Sequence, residues 1–276
     1  MPGTVRHAAC RPTPASPAPL QPQPPTQPVI LTTPGREAGH VADIVAAFSG
    51  QAGFAEPLVH RDAAGDGAAR ATRAAIAAAA AAAGGGPVLF LEDDVIVDRS
   101  APAAVRAARF PAGVAVISFC DMREVAEFSP PGLYVRSPLG SDGRGWWGDQ
   151  ALLLHPRTVA MCVREDWFAA EIELSSGVRT HGATYGDEGR NCSDIRLAVL
   201  VHSRGGDRRL YAVHVPSVFK HVGHESACFP GRDMGERETR NWVGDRRRFG
   251  IDAVLAEESA GNGAASRPAE PLERVP

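Results

Sequence analysis

Hydrophobic positions in the first half of the chain fall into two alternating patterns. Short unbroken runs, Val29-Ile30-Leu31, Leu58-Val59 and Val88-Leu89-Phe90-Leu91, are bounded by Pro, Gly and polar residues. Unbroken apolar runs of this kind predict strands buried on both faces. Between them lie stripes with helical spacing. Val41, Ile44, Val45 and Phe48 share one helical face. The stretch 67–83 is rich in alanine, the residue of highest helix propensity, and Gly84-Gly85-Gly86 stops the helix it predicts. This β-α-β-α-β order predicts parallel strands joined by right-handed crossovers, with helices on both faces. Sheets of this kind bind ligands beyond the carboxyl ends of their strands.

The second half is more mixed. Strands are predicted over Gly113–Phe119, Gln150–Leu154 and Leu210–Val215. Pro156 opens a helix running to about Val163. Ser193 is a plausible cap for another helix, which carries Ile195, Val199 and Leu200 on one face. The predicted fold class is α/β: a Rossmann-like, mixed and mostly parallel sheet flanked by helices in a single domain. Residues 1–27, dominated by Pro, Gln, Thr and Ala, read as a disordered or polyproline extension. Residues 256–276 read as a disordered tail, leaving 28–255 as the folded unit.

Composition narrows the function classes. The 276 residues suffice for one large α/β domain or two small ones, and a net charge of −3 argues against a general nucleic-acid binder. Five widely spaced cysteines without a CxxC pair argue against a zinc ribbon or a disulfide framework. They fit a reducing cytosol, so a cytoplasmic location is expected. The N-terminus has no apolar signal-peptide core, and no apolar run reaches transmembrane length. Arg204, Arg208 and Arg209, and then Arg246 to Arg248, read as solvated faces, and leave peripheral membrane contact open.

The strongest chemical signal is where the third apolar run ends. Leu91 is followed at once by Glu92, Asp93 and Asp94. Three adjacent carboxylates at the end of a buried strand repel one another and are costly to desolvate without a cation or donors. That arrangement suits a hard divalent cation with oxygen ligands. An ordinary acidic turn is the alternative. Thr32, Thr33 and Arg36 after the first strand, and Asp62 after the second, share the same rim. Trp146 and Trp147, set among glycines, read as core aromatics or as a stacking surface for an acceptor.

Several blocks together resemble the GT-A type of nucleotide-sugar glycosyltransferase. Thr32-Thr33-Pro34-Gly35-Arg36 resembles its first-strand motif, and Leu91-Glu92-Asp93-Asp94-Val95 its DXD-type metal motif in the EDD variant. The block from Trp147 to Leu154 and the string Pro216-Ser217-Val218-Phe219-Lys220-His221-Val222-Gly223 are similar to blocks of N-acetylglucosaminyltransferase-like enzymes. The resemblance spans about 29–243.

The resemblance implies a metal-dependent transfer of a sugar from a nucleotide diphosphate, most simply a UDP-sugar, to an acceptor hydroxyl on a glycan, lipid or small molecule. It implies Mn²⁺, or Mg²⁺, held by Asp94 and by His221, with His224 as the alternative histidine. Glu92 and Asp93 would face the ribose and base, joined by Thr32 and Arg36. An inverting transfer needs a general base. Asp194 is the first candidate, and Asp187 with Glu188 follows. For Asp194, plain capping of the helix is the competing role. Two other readings stand beside this one. A nucleotidyltransferase shares the carboxylate–metal logic, but Pro34-Gly35-Arg36 is short for its phosphate loop. A non-catalytic nucleotide-sugar binder would need the same fold without the chemistry.

Overall fold

The computed structural model describes residues 24–36, 39–65, 67–120, 130–138, 148–167, 192–223, 239, 241–249 and 274–275. Ten strands and six helices lie within these residues. In chain order they are β1 (Gln27–Thr32), α1 (Val41–Phe48), β2 (Leu58–Arg61), α2 (Ala68–Ala82), β3 (Val88–Glu92), β4 (Val95–Val97), α3 (Ala101–Ala107) and β5 (Val114–Ser118). Then come β6 (Gly132–Arg136), β7 (Ala151–Leu154), α4 (Pro156–Arg164), α5 (Ser193–Arg204), β8 (Leu210–Val215), β9 (Phe219–His221), α6 (Val243–Phe249) and β10 (Arg274–Val275).

Eight strands form one sheet in the order β10-β6-β8-β5-β7-β3-β1-β2. Strands β2, β1 and β3 pair in parallel, as the β-α-β-α-β reading required. Strand β7 then inserts antiparallel between β3 and β5, while β5 and β8 are parallel to each other. Strand β6 is antiparallel to β8. The expected mixed, mostly parallel sheet is therefore present. Strand β10, in the stretch read from sequence as tail, pairs with the outer edge of β6.

Side chains alternate across the central strands and fill two cores. Val29, Val88, Phe90, Leu152 and Leu154 pack on one side with α2, α4 and α5. Ile30, Leu89, Leu91, Ala151 and Leu153 pack on the other with α1 and α3. Small alanines on the buried face of α2, among them Ala71, Ala75 and Ala79, let that helix lie close to the sheet. Helix α3 begins with Pro102 in its first turn, where a missing N–H costs nothing. In α5, Cys192 rather than Ser193 occupies the capping position, and Ser193 is already helical. No helix among the described residues is long and apolar enough to cross a membrane.

A second sheet of two strands, β4 and β9, is set beside the carboxyl end of β3. It is antiparallel and pairs Val95 with His221 and Val97 with Phe219. This small sheet brings the late Pro216–Gly223 string back to the acidic cluster.

Candidate functional site

The site is built where β1 and β3 end. Thr32 closes β1, and its hydroxyl donates to Asp93 Oδ2 at 2.7 Å. The chain then turns at Gly35, whose φ of 93° lies in the left-handed region that glycine adopts without strain. That turn brings back Arg36, whose Nη2 stands 3.3 Å from both Asp93 Oδ1 and Asp94 Oδ2. Burial pushes the Asp93 carboxyl above the ordinary carboxylate range, and the Thr32 hydrogen bond and the Arg36 charge only partly offset it.

Asp94 is held from the opposite side. Its carbonyl accepts the Val222 N–H at 2.9 Å, which extends the β4–β9 pairing by one rung. Its Oδ2 lies 3.4 Å from His221 Nε2. The His221 N–H donates to the Thr239 hydroxyl at 2.9 Å, fixing the strand that carries the ring. Burial works to raise the Asp94 pKa, but the His221 contact and the Arg36 charge outweigh it and hold the carboxyl below its ordinary value. Two further features mark this corner. Asp94 Oδ1 is buried and has no hydrogen-bond partner among the described residues. Gly223 leaves a gap beside it: a Cβ there would collide with Asp94 Oδ2 and sit 2.9 Å from His221 Nε2.

Glu92 belongs to a different group of side chains from its two neighbours. Its N–H donates to the Gln150 carbonyl at 3.0 Å, where β3 meets the start of β7. Next to Gln150, Asp149 is only 4% exposed and interacts with Glu92, Ser193 and Asp194. The Gly148 N–H donates to Asp194 Oδ2 at 3.0 Å, and Asp194 Oδ1 accepts from its own helix at Ile195. Burial, then the charge of Asp194, pushes the Asp149 carboxyl up to about 7. The acidic triplet of the sequence is thus divided, with Asp93 and Asp94 facing Arg36 and His221 and Glu92 facing Asp149.

Thr32, Arg36, Asp93, Asp94 and His221, all singled out from sequence, come together in one cluster. Glu92 and Asp194 meet in the adjoining one. Asp62 supports the rim through its backbone, its N–H donating to the Thr32 carbonyl at 2.9 Å. Asp187, Glu188, His224, Trp146 and Trp147 lie outside the described residues. Asp149 was given no role in the sequence reading. Its signal is a carboxylate just before the apolar strand β7, at the end of the sheet where Glu92 to Asp94 follow β3.

Among the described residues, no set of three or more His, Cys, Asp or Glu side chains is placed to share a metal ion. The pair Asp94 and His221 nevertheless fits a cation whose remaining ligands come from a substrate. Among the described residues a buried carboxylate oxygen lacks a partner, the His221 imidazole faces the same carboxylate, and Gly223 places no side chain beside the two. No protein-family model matches the chain, and no curated protein matches it at a significant level.

Proposed function

We infer that the protein is a metal-dependent glycosyltransferase that moves a sugar from a nucleotide diphosphate to an acceptor hydroxyl. The observation that carries this reading is the Asp94 corner. A carboxylate held ionised just beyond a central strand, with one buried oxygen unpartnered among the described residues, faces His221 beside a dedicated two-stranded sheet. Such a feature is costly to maintain unless something binds there.

In this reading, Asp94 and His221 hold Mn²⁺ or Mg²⁺. When bound, the ion supplies neutralisation of the charge that develops on the departing diphosphate. Thr32 and Arg36 favour the ionised form of Asp93 against the cost of its burial and fix the orientation of its carboxylate at the nucleotide site. Arg36, nearly half exposed, is free to exchange a carboxylate for a phosphate oxygen as the donor enters. Asp194 takes the proton from the acceptor hydroxyl as the acceptor oxygen bonds to the anomeric carbon and the sugar–phosphate bond breaks. Its two oxygens are fixed by the Gly148 and Ile195 N–H groups, which orients the carboxylate before the acceptor arrives.

One observation favours a second reading, a nucleotide-sugar binder without catalysis. Arg36 already neutralises Asp93 and Asp94, so the cluster carries a cation of its own. A donor-hydrolysis screen separates the two. Purified protein is incubated with UDP-, GDP- and dTDP-sugars, with and without Mn²⁺, beside Asp94→Ala. Mn²⁺-dependent nucleotide release from one donor, lost in the variant, supports the transferase. Donor binding that ignores both metal and variant, without release, supports the binder.

A further inference from the structure

The fold treats the two arginine groups of the sequence differently. In α6, Arg246 is buried with Nη1 3.4 Å from Asn241 Oδ1, and Arg247 is tied to Asp98. Arg204, Arg208 and Arg209 instead stand at the far end of the main sheet from the candidate site. Arg204 closes α5, and Arg208 and Arg209 lie in the turn that leads into β8. Strands β3 and β5 both run antiparallel to β7, and β8 runs parallel to β5. The amino ends of β5 and β8 therefore lie opposite the carboxyl end of β3, where Asp93 and Asp94 follow.

Two more arginines join them. Arg208 Nη1 donates to the Val114 carbonyl at 2.7 Å and stands 3.4 Å from the Pro111 carbonyl, which places it against the loop that carries Arg109. Arg157, in the first turn of α4, pairs with Asp207 at 2.9 Å, and His155 just before it packs edge-on against Phe110. Residues 108–114, 155–159 and 202–210 thus meet at one end of the sheet. They contain five arginines and one acidic residue, Asp207.

Their charge is presented outward. Arg109, Arg157, Arg204 and Arg209 are exposed, and Arg204 has no hydrogen-bond or ion-pair partner among the described residues. Arg109, Arg208 and Arg209 donate to backbone carbonyls, which satisfies donors without cancelling charge. His155 senses the same field, because after burial it is the charges of Arg208 and Arg157 that push its pKa down. In a chain of net charge −3, such a face is a strong local asymmetry.

We propose that this arginine face docks the protein peripherally on an anionic lipid surface, through guanidinium contacts to headgroup phosphates. The planar guanidinium matches phosphate oxygens two at a time, and basic residues near an anionic bilayer add their attractions. These arginines come from separate segments spread across the end of the sheet, an array that suits a plane of headgroups. The aromatic ring of these segments, Phe110, packs on His155 and is not offered as a stacking platform for bases, which disfavours a nucleic-acid strand. In the docked pose the candidate site faces the aqueous side. The proposal stands whether or not the transferase reading does.

The test is co-sedimentation of the full chain with vesicles of phosphatidylcholine alone and of phosphatidylcholine with phosphatidylserine. Wild type is expected on the mixed vesicles and not on the neutral ones, with binding that weakens as salt is raised. Arg204→Glu combined with Arg209→Glu should lower affinity at least about tenfold, whereas Arg164→Glu, at the other end of α4, should leave it within about twofold. Arg204→Glu alone, in which no side-chain partner is lost, carries the test if the double variant fails to fold, and thermal unfolding tells the two apart. Equal binding to both vesicles, no binding to either, or variants that bind like wild type overturn the proposal. So does a chain that ignores phosphatidylserine but uses the same arginines to bind an RNA oligonucleotide or polyglutamate.

Discussion

Asp94 Oδ2 lies 3.4 Å from His221 Nε2, although the two residues come from opposite halves of the chain. What joins them is a rung of the β4–β9 sheet, in which Val95 pairs with His221 and the Asp94 carbonyl takes the Val222 N–H. The acidic cluster follows a strand of the main sheet, and the imidazole comes from a strand that belongs to the small one. The separation of Asp94 and His221 is thus set by backbone pairing rather than by flexible side chains, which is how a preorganised ligand pair is made.

Gly223 is the most sensitive residue at this corner. A methyl group there meets Asp94 Oδ2 and His221 Nε2, so one of the two side chains must shift to admit it. Gly223→Ala is expected to cost about 1–3 kcal/mol of stability through overpacking. It should also weaken Mn²⁺ binding by about tenfold or more, as disturbed ligand orientation does elsewhere. Denaturant unfolding and Mn²⁺ titration by electron paramagnetic resonance measure the two effects. Wild-type Mn²⁺ affinity in the variant would remove the steric role assigned to this glycine.

Thr32 controls the charge on Asp93. The folded protein holds Asp93 above its ordinary value, mainly through burial, so Asp93 contributes stability at low pH that is lost as pH rises past about 4. Thr32 reduces that loss by hydrogen-bonding the ionised form. Thr32→Val should therefore cost about 1–3 kcal/mol at pH 7 and clearly less at about pH 3, below the ordinary carboxylate value, where the raised Asp93 carboxyl holds its proton. Urea titrations of both proteins at the two pH values give the comparison, and an equal cost at both would count against the mechanism.

His155 supplies a different pH dependence, far from the acidic rim. It caps α4, its Nδ1 accepting the Arg157 N–H at 3.1 Å, and it packs edge-on against Phe110. Burial, then the charges of Arg208 and Arg157, pushes its pKa down to about 4. The neutral ring is the folded form, so its contribution is complete above about pH 6.5 and is lost as pH falls from there toward 4. His155→Asn keeps a capping acceptor without a proton to gain. Its melting temperature should fall less than that of wild type between pH 7 and pH 5. His155→Ala should cost about 1 kcal/mol at pH 7 and little at pH 4.5.

Asp98 anchors α6 to the turn after β4. Its Oδ1 accepts from the Ser100 N–H at 2.9 Å and from the Ser100 hydroxyl, and its Oδ2 pairs with Arg247. Burial works against the ionised form, but these donors outweigh it and lower the Asp98 pKa. Its stabilising contribution is thus present above about pH 4 and is lost on further acidification. Asp98→Ala should destabilise by about 2 kcal/mol at pH 7. Because α6 follows the Ser217–Trp242 bridge beside β9, the variant should also increase hydrogen exchange at the His221 N–H. Unchanged exchange there would separate α6 from the support of the site.

Much of the fold was legible because local pattern and tertiary packing agree. The apolar runs at Val29 and Val88 became β1 and β3, and the alanine stretch became α2. Residues Gln150 to Leu154 and Leu210 to Val215 became β7 and β8 with nearly the expected limits. A run of apolar residues states that a strand is buried on both faces, but it carries no record of direction. The insertion of β7 antiparallel between β3 and β5 therefore could not be read. Strands β4 and β9, three residues each, are too short for any periodicity to reveal.

The candidate site divides in the same way. Sequence by itself determined the acidic triplet, its position at the end of a buried strand, and the rim on which Thr32 and Arg36 stand. Those features follow from the order of residues along a strand and its first turn. Tertiary structure alone decided that Asp93 and Asp94 face Arg36 and His221 while Glu92 turns to Asp149. It also decided that Asp149 is buried beside Asp194 and that Gly223 has no room for a Cβ next to Asp94 and His221. The physical reason is that desolvation and charge repulsion depend on distances between segments remote in sequence. Those distances are fixed only when the two sheets assemble.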